Sequence, residues 1–246
     1  MKRLRVLGIG IDQISPDEAV ELALDAMDKR EGKYVVTPNS EFLLCATKNK
    51  RLRSAAEKAF LSLPDSIGVL VVAHILGISL RERIPGIDFA ETLLKIMGKR
   101  GKSVFLLGAK KGIAEKAAAR AGKKYPGLVI AGMNDGYYAP CDEEKLLERI
   151  NAASPDLLIV CLGSPRQELW MYKNAVRLRV GLMAGLGGTM NIMAGAVDRA
   201  PLKWRRAGLE WLYRTIKEPK RILRVLRIPL VILVSLWYRI GGKGNK

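Results

Sequence analysis

Histidine is nearly missing from this 246-residue chain, and cysteine is sparse, with one of the first and three of the second. His74 lies in an apolar, helix-like run, while Cys45, Cys141 and Cys161 are far apart and form no C-x-x-C pair. A His/Cys zinc site is thereby excluded, and free thiols in a reducing compartment are expected. No G-x-G-x-x-G and no G-x-x-x-x-G-K-[ST] occurs, which removes the strongest signals for a dinucleotide cofactor or a P-loop. Aromatic residues make up only 6%, and no stretch interleaves them with basic residues as a nucleic-acid-binding face would. The apolar run Ile228–Tyr238 spans 11 residues, well short of the roughly 20 that cross a bilayer.

Acidic residues are also scarce, 24 against 42 Lys and Arg, leaving a net charge of +18. Such an excess points to nucleic acid, an anionic membrane surface or a phosphorylated substrate. Its distribution narrows the choice. From Pro201 to Lys246 there are 12 basic residues against 2 acids, and this basic tail is joined to an apolar run. The hydrophobic fraction of 49% fits a folded chain with a sizeable core. Met1-Lys-Arg is basic, but Arg5 and Asp12 break the apolar run behind it, so no secretory signal is expected and the chain should stay in the cytoplasm.

Strands and helices alternate along residues 1–200. Leu4–Ile11 reads as a first strand. Ser15-Pro-Asp-Glu starts a helix, with a serine cap, proline in the first turn and acids at the positive dipole end. Short buried strands follow at Tyr34–Val36 and Phe60–Leu63. They lead into Thr37-Pro-Asn39 and Asp65-Ser66 before helices over 41–48 and 67–76. Residues 87–100 form the next helix, after the polar loop carrying Arg81 and Arg83. The strand ending at Gly108 passes through Gly108-Ala-Lys-Lys-Gly112 into an alanine-rich helix, a turn that lets amides approach a phosphate. Strands over 128–133, 157–162 and 180–184 precede Asn134-Asp135-Gly136, Gly163-Ser-Pro-Arg166-Gln167 and Gly185-Leu-Gly187-Gly188-Thr189. This alternation predicts an α/β fold, a Rossmann-like, mainly parallel sheet with helices on both faces.

In such sheets ligands gather at the carboxyl ends of the strands. Thr37, Asn39 and Asp65 fall there, either as ligand-binding groups or as helix caps. Residues 201–246 read as a basic, amphipathic helical appendage. Leu209, Leu212 and Ile216 recur at helical spacing beside Arg205, Arg206, Arg214 and Lys217; beyond Pro219, Arg221, Arg224 and Arg227 repeat every three residues. The run 228–238 reads as a helix lying in the plane of a membrane surface, rimmed by arginine and by Trp237 and Tyr238; a packed core or dimer helix is the alternative.

Five stretches, TPNSE (37–41), PDSIGV (64–69), NDGYY (134–138), GSPRQELW (163–170) and GLGGTMNIMAG…RAPLKW…LEWLYR…EPKR (185–221), resemble the WecG/TagA/CpsF family of bacterial glycosyltransferases in order and spacing. The tail is most similar to the TagA branch. The resemblance implies a GT-E-type core over 1–200 and, over 201–246, a segment that docks on membrane and completes the active site. It implies inverting transfer of N-acetyl-D-mannosamine from UDP-ManNAc to undecaprenyl-diphosphate-linked GlcNAc, as a β-1,4 bond, at the cytoplasmic membrane face in wall teichoic acid synthesis. UDP-ManNAcA or UDP-glucose in another surface polymer is the alternative within the family. A basic nucleic-acid-binding module or a nucleotide-dependent oxidoreductase is the alternative outside it.

An inverting transfer needs a base near the acceptor hydroxyl, and Asp65 is the candidate. Thr37 and Asn39 would bond sugar hydroxyls or the acetamido group. Arg83, Arg166, Gln167 and the amides of Gly187 and Gly188 would steady the leaving diphosphate. Thr189 and Asn191 would meet pyrophosphate or uridine, with Gly108 and Asp135 also in the donor site. Arg214, Arg221 and Arg224 would fold over the diphosphates or bind anionic lipid. No D-x-D is present, so no metal and no other cofactor is expected. A homo-oligomer formed through apolar tail surface is compatible with this pattern.

Overall fold

A computed structural model describes residues 2–217, 222–225 and 227–241. Six strands form one sheet in the order β4-β3-β8-β7-β5-β6: β3 (Lys33–Val36), β4 (Leu61–Ser62), β5 (Ser103–Gly108), β6 (Val129–Asn134), β7 (Leu157–Cys161) and β8 (Leu182–Gly185). Every pairing between them is parallel. Side chains alternate faithfully along the central strands. Val104, Leu106, Leu157, Ile159, Leu182 and Ala184 enter one apolar layer, whereas Phe105, Leu107, Leu158, Val160 and Met183 enter the other. A parallel sheet covered on both faces requires such near-continuous apolar strands.

Helices α1 (Pro16–Asp28), α5 (Gly86–Lys99), α6 (Ile113–Lys124) and α9 (Thr189–Met193) cover the first face. Helices α7 (Glu143–Ala153) and α8 (Arg166–Asn174) cover the second. The start of α1 follows its sequence signature: Ser15 accepts from the Glu18 amide, and Glu18 accepts from the Ser15 amide, a capping box.

Residues 4–11 form not one strand but two, β1 (Arg3–Val6) and β2 (Ile9–Asp12), paired antiparallel outside the main sheet. The turn between them places Leu7 and Gly8 at φ 50° and 79°, the left-handed pair that tight hairpins use. Asp12, 2% exposed, binds Arg3 Nε at 2.6 Å and accepts the Ser62 amide at 2.7 Å. The hairpin is thereby fastened beside β4, at the edge of the sheet. Helices α2 (Ser40–Lys48), α3 (Lys50–Glu57) and α4 (Ile67–Ile75) pack with it in a third apolar cluster. Asn49 closes α2 and caps α3 by accepting from the Leu52 amide. His74 lies on α4, on the exposed side rather than in the core.

The tail contains α10 (Leu202–Arg206), α11 (Glu210–Lys217), α12 (Ile222–Val225) and α13 (Arg227–Ile240). Helix α13 is two-faced. Val231 and Ser235 are fully buried and Val231 belongs to the third cluster, packed on α2 and α4. Leu233, Trp237 and Ile240 are 63%, 61% and 86% exposed. Part of the run expected to lie on a membrane is therefore core, and Tyr238 packs with it. No helix among the described residues is long and apolar enough to cross a membrane.

Candidate active site

The parallel strands deliver their following turns to one edge of the sheet. Helix α8, after β7, lies on one face, while α9, after the neighbouring β8, lies on the other. The chain thus opens a crevice between these strand ends, the place where such sheets bind ligands.

Asp65 stands beside it. Its Oδ1 accepts the amide of Gly86, the first residue of α5, at 2.6 Å. A carboxylate is favoured at the positive end of a helix dipole. It does not cap its own helix: Ser66 occupies that place, without a side-chain cap bond. A Cβ added to Gly86 would lie 3.4 Å from Leu186 Cδ2, 3.5 Å from Asp65 Oδ1 and 3.6 Å from Thr37 Cγ2. The ends of β3, β4 and β8 therefore converge on Gly86. Desolvation by the surrounding chain pushes the Asp65 carboxyl above its ordinary range. The Gly86 amide, Arg83 and Arg214 pull it back, whereas Glu210 adds to the rise. Arg83 Nη2 and Glu210 Oε2 are 4.0 Å apart, with both side chains largely buried. Helix α11 thus brings Glu210 and Arg214 into the electrostatic surroundings of this half-buried carboxylate.

Thr37 and Asn39 are more committed than their pattern suggested. The Thr37 hydroxyl donates to the Gly185 carbonyl at 2.7 Å, tying β3 to β8. Asn39 caps α2, its Oδ1 accepting the Phe42 amide at 3.0 Å. The first can still accept from a substrate and the second can still donate through its amide nitrogen.

The glycine turn after β8 is held from α8. Gln167 Oε1 accepts the Gly187 amide at 3.0 Å, and Gln167 Nε2 donates to Glu168 Oε1 at 2.8 Å. Gln167 is 2% exposed and Glu168 1%. The Gly187 amide is consequently engaged inside the protein, as are both ends of Gln167. Gly187 takes φ 52° with open space where a Cβ would stand, while a Cβ on Gly188 would lie 3.3 Å from Arg214 Nη2. Arg214 thus reaches over the turn. Thr189 is buried, and Asn191 is half-buried just behind it.

The other strand ends form a separate group. Gly108 adopts φ 128°, and a Cβ there would overlap the backbone of Cys161; neighbouring backbone by itself requires glycine here. Asp135 Oδ1 accepts the Tyr137 amide at 2.8 Å, and Arg166 donates to the Gly136 carbonyl at 3.1 Å while lying over the Tyr138 ring. These residues brace the loops after β6 and β7. Arg221 and the Arg224 side chain lie outside the described residues. Glu210 sits in an ordinary amphipathic pattern and carries no local signal for a site role. Glu168, beside Arg166 in the GSPRQELW stretch, reads in sequence either as a solvated helix start or, through its motif, as a functional residue.

With this geometry, the chain matches the family model "Glycosyl transferase WecG/TagA/CpsF family" over residues 4–245. The chain belongs to this family. It is 35% identical over 210 residues to the N-acetylglucosaminyldiphosphoundecaprenol N-acetyl-beta-D-mannosaminyltransferase of Bacillus spizizenii, covering 85% of this chain and 81% of that protein. The protein of the same name from Bacillus subtilis is 34% identical over the same extent. That from Staphylococcus aureus is 31% identical over 230 residues, 93% of this chain and 90% of the relative. Membership in the WecG/TagA/CpsF family accounts for the joint occurrence of the five sequence stretches.

Proposed function

We propose that this glycosyltransferase moves N-acetyl-D-mannosamine from UDP-ManNAc to GlcNAc-diphosphoundecaprenol, with inversion, in wall teichoic acid synthesis. The acceptor and sugar are those in the relatives' names. The observation that carries the chemistry is the placement of Asp65, a carboxylate with a raised pKa at the strand ends, flanked by Arg83 and Arg214. A base is more effective as its pKa approaches the working pH.

In the proposed step, Asp65 takes the proton of the acceptor sugar hydroxyl. That oxygen bonds to the anomeric carbon of ManNAc as the bond from this carbon to the UDP oxygen breaks on the opposite side. The electron pair leaves on UDP, and the proton later passes from Asp65 to water. Arg83, Arg214 and the exposed Gly188 turn face the charge that develops on the diphosphate. Thr37 and Asn39 hold the sugar. With no D-x-D in the chain, leaving-group stabilisation is assigned to arginines and backbone amides instead of a metal. Turnover abolished by EDTA and restored by Mg²⁺ would overturn that assignment.

The tail docks the enzyme on the membrane that holds its acceptor. Supporting this are the outward Leu233, Trp237 and Ile240 of α13 and the surplus of basic residues after Pro201; each basic residue near an anionic surface contributes about 1 kcal/mol. The decisive experiment offers a panel of UDP-sugars with a lipid-diphosphate-GlcNAc acceptor, alongside liposome sedimentation of the full chain. Preferential transfer from UDP-ManNAc and binding to anionic liposomes are expected. Transfer from another sugar would correct the donor, and absence from the liposome pellet would remove membrane docking.

A further inference from the structure

Glu168 is a carboxyl group hidden at the start of α8, 1% exposed. Nothing in the proposed transfer step uses it. One oxygen, Oε1, accepts from Gln167 Nε2 at 2.8 Å. The other, Oε2, is buried without a partner of good hydrogen-bond geometry among the described residues, as is Ser164 Oγ, although Ser164 and the Glu168 backbone amide stand close enough to favour its charge. Around it stand Glu41 and Cys45 of α2 and Ser164 on the turn before α8; Arg227 of α13 is paired with Glu41. A buried carboxyl left half-satisfied costs stability, so its presence calls for a reason.

The reason lies one residue away. A carboxamide has a donor end and an acceptor end, and its orientation is decided by what each end meets. Gln167 must present Oε1 to the Gly187 amide, and it does so at 3.0 Å. Rotated by half a turn, it would set its NH2 against the Gly187 N–H, donor to donor. Glu168 Oε1 accepts from this direction, both as a carboxylate and with a proton carried on Oε2 toward Ser164, and therefore selects the first orientation. The fixed carboxamide then holds Gly187 at φ 52° and leaves Gly188 facing Arg214. Gly185 completes the arrangement: a Cβ there would stand 2.6 Å from Met171 Cε and 3.2 Å from Gln167 Nε2, so α8 approaches β8 this closely only over glycine.

We propose that Glu168 is a positioning residue for the transfer reaction: through Gln167 it locks the Gly187–Gly188 turn that borders the donor diphosphate. The proposal rests on the reading of this turn as part of the donor site. Glu168 touches no substrate; it acts through the carboxamide.

The test uses the full chain with the variants Gln167→Ala, Glu168→Gln, Glu168→Met and Gln167→Ala/Glu168→Met. Two quantities are measured, hydrogen exchange at the Gly187 amide and turnover on the lipid acceptor. Glu168→Gln keeps an acceptor oxygen toward Gln167 and can donate to Ser164 Oγ, so it retains Gly187 protection and most turnover. Glu168→Met removes the acceptor. Gly187 exchange then quickens about tenfold while the amides of β7 stay protected, and turnover falls about tenfold, as loss of one directing hydrogen bond implies. In the Gln167→Ala background, Glu168→Met has no further effect, because the intermediary is gone. An additional loss in the double variant would overturn the proposal, as would loss of Gly187 protection in Glu168→Gln; the latter decides the matter even if the methionine variant does not fold. If the wild-type chain transferred no sugar, the functional reading would fail, while Gly187 exchange would still test the lock.

Discussion

Asp65 and Gly86 meet at 2.6 Å, carboxylate oxygen to backbone amide, so the proposed base is anchored to the helix after its own. This separates its two roles. Asp65→Asn retains an oxygen for the Gly86 amide but cannot take a proton. Its transfer rate is expected to fall by about 10²–10⁴-fold, with a melting temperature within a few degrees of wild type. Steady-state rates and thermal melts on the same preparation check this. A rate close to wild type would remove Asp65 as base.

Glu210 raises the Asp65 pKa, whereas Arg214 lowers it. The base works deprotonated, so activity rises with pH through this pKa. Glu210→Gln should move the acid limb of the kcat/KM profile to lower pH, and Arg214→Gln should move it to higher pH. The two shifts must have opposite signs. Shifts in the same direction would show that α11 does not act on Asp65 through charge.

Burial raises Glu168 from its ordinary 4.5 to about 7. Between those values the folded chain holds a proton that the unfolded chain has released. Stability therefore falls as pH rises from about 4.5 to about 7 and is flat above that window. Glu168→Gln removes the titration, giving at pH 8 a gain over wild type of up to about 3 kcal/mol relative to their difference at pH 4. Denaturant unfolding at the two pH values measures it. An equal difference at both would contradict the assignment.

Gly108→Ala should behave differently from any of these. A Cβ would meet the Cys161 backbone, and φ 128° strains an L residue. A loss of stability above about 3 kcal/mol is expected, accompanied by loss of every activity together. Intact stability with selectively weakened donor binding would instead give Gly108 a role in the donor site.

Strands and their following turns were legible because apolar runs, glycine and proline are local signals. The capping box of α1 and the strand ends at Thr37 and Asp65 appeared where the pattern put them. The hairpin at Leu7–Gly8 was not, since Leu4–Ile11 is largely apolar and the residues that interrupt it, Arg5, Gly8 and Gly10, are all compatible with one strand. Residues 50–57 carry no clear helix signal in sequence because the Asn49 cap sits inside a basic stretch. In the site, residue types were readable but commitments were not. That Gln167 joins Gly187 to Glu168, and that Thr37 binds the Gly185 carbonyl, depends on distances between segments remote in sequence, whereas the Asn39 cap of α2 is local and was one of its two readings. Glu210 and Arg214 meet Asp65 across about 150 residues of chain, a separation over which no periodicity speaks.

The place of β8 in the sheet has a kinetic meaning. It is the last strand of the sheet in sequence, yet it lies between β3 and β7. Until residues 182–185 dock, β3–β4 and β5–β6–β7 are two unconnected fragments, each with a bare edge. Joining them requires contacts between distant parts of the chain, which makes this a slow event in folding. The same docking brings Thr37 to Gly185 and Gly187 to Gln167. Assembly of the sheet and assembly of the pocket are thus one event, and a chain halted before residue 182 would have neither.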